Sequence, residues 1–172
     1  DKFVTEYPVD ILVYSKNDDI LTSDAFVEIL EIEIALIENE LVANNSLTPS
    51  NPSTDIVAIP NYLAPFVEGD ASNLQELKDI YADKTDQEIK DAFSTAKENP
   101  MLAGAVTNIL GEYDGNNSAK ATKITFKFDN SQREGEGTAE AFDRMVSVEL
   151  EMDDVVKGMK FESVEPHTLG QA

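Results

Sequence analysis

Hydrophobic and polar residues alternate at both ends of this chain and follow a helical period in its middle. Over residues 3–15, Phe3, Tyr7, Val9, Ile11 and Val13 share one parity, while Glu6, Pro8 and Asp10 share the other. Period two with β-branched and aromatic residues predicts a strand. Pro8 cannot donate to a ladder, so its half of the strand should be an edge or a bulge. Residues 124–128 alternate in the same way, with Ile124, Phe126 and Phe128 against Lys123, Thr125 and Lys127. Val146, Val148, Leu150 and Met152 alternate with Ser147, Glu149 and Glu151, which predicts a second C-terminal strand over residues 146–152. Its anionic outer face would pair with the cationic outer face of residues 123–127. A third run, Met159–Val164, completes the predicted sheet, and Asp153-Asp154 is read as an acidic turn between strands.

Between these ends the period changes to 3.6. Residues 24–42 place Phe26, Ile29, Leu30, Ile32, Ile34, Leu36, Ile37 and Leu41 on a wide apolar arc, with a cap at Ser23 or Asp24. The alternation of residues 30–34 also suits a strand, but an uninterrupted stretch of this length without Gly or Pro favours a helix. Residues 43–72 form a turn-rich connection with Pro49, Pro52, Pro60 and Pro65, containing a short strand at Asp55–Ile59. Three helices follow. Ser72 with Gln75 opens the first and Thr85 with Glu88 the second, each as a capping box. Asn99 with Pro100 opens the third, which Gly111 ends. Asp129–Ala141 is a loop too open for a tight hairpin.

The expectation is one α+β domain over residues 1–172. Its mostly antiparallel sheet has about four strands, built from the N-terminal strand and the C-terminal strands, and three to four central helices cover it. A chain of 172 residues with 41% hydrophobic content buries enough surface to fold without a disulfide or metal.

Charge changes the picture of partners. Thirteen Lys and Arg against 34 Asp and Glu leave a formal charge of −21. Phosphate backbones are bound by basic side chains that displace counterions, and the only arginines, Arg133 and Arg144, lie in no basic cluster. Nucleic acid is therefore excluded as a partner. Anionic membrane surfaces are disfavoured, and no apolar run is long enough for a membrane span. The absence of Cys removes thiolate chemistry and leaves the redox compartment unreadable. The single histidine, His167, lies in a segment read as an exposed tail, a poor base for a triad or a multi-histidine metal site. The first residue is Asp1 rather than Met, so processing is expected (secretion, lipoprotein maturation or maturation in a virus particle) or else trimming of the chain. Glycosylation sequons at Asn44 and Asn116 are no more than twelve asparagines provide by chance.

Three segments carry candidate chemistry. Glu33 and Glu40, seven residues apart, fall near the middle of the apolar arc of residues 24–42, where they suit a cation site or an acid/base pair with raised pKa values. An exposed helix face or a covering partner would equally account for them. Residues 112–118 gather Asp and Asn oxygens around Gly115 but lack the ligand spacing of a calcium loop, which leaves an Asx-rich turn. Residues 133–138 form a Gly/Glu loop that leads toward a strand and matches no phosphate-binding motif. No residue is assigned a catalytic, cofactor-binding or metal role.

The functional expectation is a non-enzymatic structural or assembly protein acting through protein–protein contacts with partner proteins or copies of itself. A processed virion, extracellular or cell-surface subunit fits better than a cytoplasmic protein. The alternatives are a calcium-dependent extracellular binding domain and, third, a carboxylate-dependent hydrolase, for which 34 acids always supply a pair.

Overall fold

A computed structural model describes residues 5–169. They form an α+β fold with five antiparallel strands and seven α-helices. Strand β1 (Glu6–Ser15) follows the predicted alternation: Val9, Ile11 and Val13 are buried, and Pro8 and Tyr14 are exposed. It lies in the interior of the sheet, between β4 (Ala119–Asp129) and β5 (Val164–Leu169). Strand β4 pairs with the whole of Glu6–Tyr14, whereas the described part of β5 pairs only with Asp10–Ser15. Pro8 therefore sits where β1 has one neighbour among the described residues, as its missing N–H requires. Phe3 and Val4 of the predicted strand lie outside the described residues. The far side of β4 carries two short strands, β2 (Ile56–Val57) and β3 (Leu110–Tyr113).

Burial alternates along both central strands. Ile124, Phe126 and Phe128 of β4 are buried with Val9, Ile11 and Val13, while Asp10, Lys123, Thr125 and Lys127 stay in partial contact with solvent. The helices thus cover one face, and the other is open. Helix α1 (Ser23–Glu38), capped by the Thr22 hydroxyl, buries Phe26, Ile29, Leu30, Ile32 and Leu36 in the core. Asn39 ends it with an extended backbone and caps the short helix α2 (Glu40–Asn45), so residues 24–42 are two helices rather than one. Helix α3 (Ile59–Leu63) lies in the proline-rich connection, flanked by 3-10 turns at Pro52–Asp55 and Ala64–Phe66. Helix α4 (Leu74–Ala82) packs on α1, with the Phe26 and Tyr81 rings edge to face at 5.1 Å. Its cap is Asn73, one residue beyond the predicted Ser72.

Helix α5 (Asp86–Glu98) starts at the predicted Thr85–Glu88 capping box. Thr85 Oγ1 accepts from the Glu88 amide at 3.1 Å, and Glu88 accepts from the Thr85 amide at 3.3 Å. Thr85→Ala should lower unfolding free energy by about 1 kcal/mol in urea denaturation; an unchanged midpoint would count against the cap. Helix α6 (Ala103–Asn108) is shorter than expected. Residues 100–102 are a turn, and Gly111 lies inside β3 instead of ending the helix.

The largest correction concerns residues 146–152. They are the centre of α7 (Thr138–Lys157), and Asp153-Asp154 belong to the same helix. Ala141, Met145, Val148, Met152 and Val156 recur at helical spacing and are buried. Glu140 accepts from the Gly137 amide at 3.0 Å at the helix start. Twenty residues without Gly or Pro propagate the helix, so the alternation inside it is a coincidence of two apolar stripes. The expected pairing of residues 123–127 with 146–152 is accordingly replaced by the β1–β4 ladder. The third C-terminal strand exists but begins at Val164, so Met159–Ser163 is only its approach and the supposed tail around His167 is a strand. Among the described residues no helix is long and apolar enough to cross a membrane.

Candidate functional site

Glu33 and Glu40 are not brought together. The helix break at Asn39 puts Glu40 at the first position of α2, exposed. Glu33 is fully buried and accepts from Asn61 Nδ2 of α3 at 2.8 Å. Glu33 Oε2 and Asn61 Oδ1 have no hydrogen-bond partner. Burial pushes the Glu33 carboxyl up to about 8, against a smaller opposing effect of the Asn61 bond. Tyr81, whose hydroxyl donates to the Pro60 carbonyl at 2.5 Å, is likewise held well above the phenol range, by burial first and then by the charge of Glu33. Sealed from solvent, Glu33 is a neutral core acid at pH 7.

The other two segments are structural. Asp114 Oδ1 accepts from the amides of Asn116, Asn117 and Ser118 at 2.8–3.1 Å. These bonds, that of Asn116 foremost, hold its carboxyl below the usual range. Gly115 takes φ 83°, which the turn requires. The Asx turn is as expected but closes the β3–β4 hairpin. The 133–138 loop leads into α7 and is tied down by both arginines, which converge on Asn45 Oδ1 at 2.8 Å each.

The arrangement that sequence reasoning missed lies between α7 and β5. A groove of about 630 Å³ is lined on one side by Val146, Glu149, Leu150, Asp153, Val156 and Lys157, one stripe of α7. The opposite wall is Glu165, Pro166, His167 and Thr168, four consecutive residues of β5, and Met159 and Phe161 complete the lining. Successive strand residues point to opposite faces of a sheet. A cavity touching all four runs along the strand's edge rather than under one face. That edge has no strand partner among the described residues.

Local sequence explains both walls. Helix α7 carries two apolar stripes and uses only one in the core. Phe142, Val146 and Leu150, spaced by four, form the other, with Phe142 54% and Leu150 62% exposed. The approach to β5 is clamped by Glu28 of α1, whose carboxylate accepts from the amides of Glu162, Ser163 and Val164 at 2.7–2.9 Å. Lys16 adds a bond to the Phe161 carbonyl at 2.7 Å. The acidic residues of the groove are engaged. Glu149 accepts from Tyr7 Oη at 2.6 Å, Asp153 meets Lys157 at 2.5 Å, and Glu165 meets His167 at 3.3 Å. The Tyr7 phenol, pushed up to about 12 by burial and by that bond, stays a donor at neutral pH. Thr168 Oγ1 is buried without a hydrogen-bond partner. Among the described residues no group of three or more His, Asp and Glu side chains is placed to hold a metal ion. Comparison with protein-family models and with curated proteins finds no match to this chain.

Proposed function

We propose that this chain is a non-enzymatic interaction protein that works through protein–protein contacts, and that the α7–β5 groove receives an extended segment of a partner protein. One observation carries the reading: an apolar groove runs along a strand edge that has no strand neighbour among the described residues. An unpaired edge displays main-chain donors and acceptors in a row, and an incoming strand satisfies them while its side chains fill the adjoining groove. The exposed stripe of α7 supplies the apolar contact that main-chain bonds alone do not. The outer stripe leaves Leu150 uncovered in the chain by itself, so covering it gives the partner a free-energy gain.

Selection of random displayed peptides against the whole chain tests this. Recovered binders should perturb backbone resonances of β5 and α7, and Leu150→Glu should weaken them at least tenfold. Leu150 is mostly solvent-exposed, so this substitution should leave unfolding free energy within about 0.5 kcal/mol of the parent. Binders that map to other surfaces, or a selection that yields none, would sink the reading.

A further inference from the structure

Resting on that reading, we infer that the groove's occupant is a cationic β-segment, with apolar side chains on one parity and basic side chains on the other. The first reason is the pattern of free main-chain groups. Val164 N–H turns away from β1 onto Glu28 Oε2, at 2.9 Å. In an antiparallel pair, residues alternate between bonding the neighbour and facing away from it. Pro166 and Thr168 share the parity of Val164, so their main-chain groups face the free edge too. Pro166 has no N–H, and that of Val164 is taken. Among the described residues the edge therefore presents carbonyls at Val164, Pro166 and Thr168 but one N–H, at Thr168. It is an acceptor-rich edge that pairs with a donating strand and pairs poorly with a copy of itself.

The second reason is charge. The groove holds three acids, Glu149, Asp153 and Glu165, against one lysine, Lys157, and one histidine, His167. Each of these acids has a partner within the chain, yet the groove keeps an excess of negative charge, and the chain as a whole carries −21. Such a field draws in cationic segments and repels acidic ones. It also repels a second copy, which brings the same −21 to the interface. The side chains of the occupant that face α7 meet Val146, Leu150 and Phe161, which sets their apolar parity, and those of the other parity lie beside Glu165.

The test uses four capped decapeptides titrated into the full chain, followed by backbone resonances and by exchange of the Thr168 amide. The first alternates Lys and Val. The second alternates Glu and Val. The third has the same five Lys and five Val as one block of each, which keeps the charge but breaks the parity. The fourth is the first with N-methyl groups on every second residue. The first should bind at β5 and α7, slow Thr168 amide exchange at least tenfold and weaken with salt. The other three, and the first against Leu150→Glu, should each bind at least tenfold more weakly. Equal binding of the Glu peptide would overturn the cationic assignment and leave the groove reading intact. Equal binding of the N-methylated peptide would overturn strand pairing. Equal binding of the block peptide, or indifference to Leu150→Glu, would reduce the effect to diffuse attraction by an acidic surface and overturn the inference.

Discussion

Replacing Glu33 by Gln should flatten the fall in stability between pH 4.5 and pH 8. In the folded chain the buried carboxyl holds its proton up to about 8, whereas its ordinary value is 4.5. Below pH 4.5 the acid is neutral in both folded and unfolded chains, and its contribution to stability is fully present. From there to pH 8 the unfolded chain is ionised while the folded one remains neutral, so unfolding becomes easier with each pH unit. The whole loss is on the order of 5 kcal/mol, at about 1.4 kcal/mol per unit. Repulsion among the 33 other carboxylates also grows with pH, but it is common to the parent and to Glu33→Gln and cancels in the difference. The constant cost of burying an amide cancels in the same way. Urea unfolding at half-unit pH steps should show the two stability curves diverging in favour of Glu33→Gln as pH rises, and parallel curves would refute a neutral buried acid. Glu33→Leu should diverge in the same sense, because it too removes the titration.

Arg144→Ala should lower unfolding free energy by about 3 kcal/mol. The Arg144 side chain is only 12% exposed. Its guanidinium donates to Glu136 Oε2 at 3.1 Å, Asn45 Oδ1 at 2.8 Å, the Asp129 carbonyl at 3.1 Å and the Ser131 carbonyl at 2.8 Å. It thereby ties α7, α2 and the end of β4 to the loop between β4 and α7. Deleting it strands these acceptors and loosens that loop. Arg144→Lys should recover less than half of the loss, since one ammonium cannot copy a planar fork with donors in several directions. The pH dependence has the opposite sign to that of Glu33. The Arg144 bond, chiefly, holds the Glu136 carboxyl below its usual range. Its contribution is therefore present above the ordinary carboxylate pKa and is lost as acidification protonates Glu136. An Arg144→Ala protein within about 0.5 kcal/mol of the parent at neutral pH would show the cluster to be ornamental.

The candidate site was only partly legible. Glu33 is marked in the sequence by its place in an apolar arc, but its partner Asn61 lies 28 residues away in a connection with no periodic signal. The groove was illegible because its walls were misread as two other things. Residues 146–152 satisfy period two and period 3.6 together. A longer window, from the Gly137–Glu140 start to Lys157, carries the helical signal. Residues 164–169 include a proline and a histidine and carry no alternation of their own. They become a strand because β1 has an open edge and Glu28 clamps their entrance.

Some features follow from local order alone: the inward parity of Val9, Ile11 and Val13, that of Ile124 and Phe126, the Thr85 cap, and the net charge of −21. They depend on steric and solvation preferences that act over a few neighbouring residues. The tertiary structure alone decided that β1 lies inside the sheet, that α7 keeps its second stripe outside the core, and that Asn39 swings Glu40 away from Glu33. A periodic pattern says which side of an element avoids water but not what that side will touch. That choice is made by contacts between residues far apart in sequence, such as Glu28 with Val164 and Arg144 with Asn45.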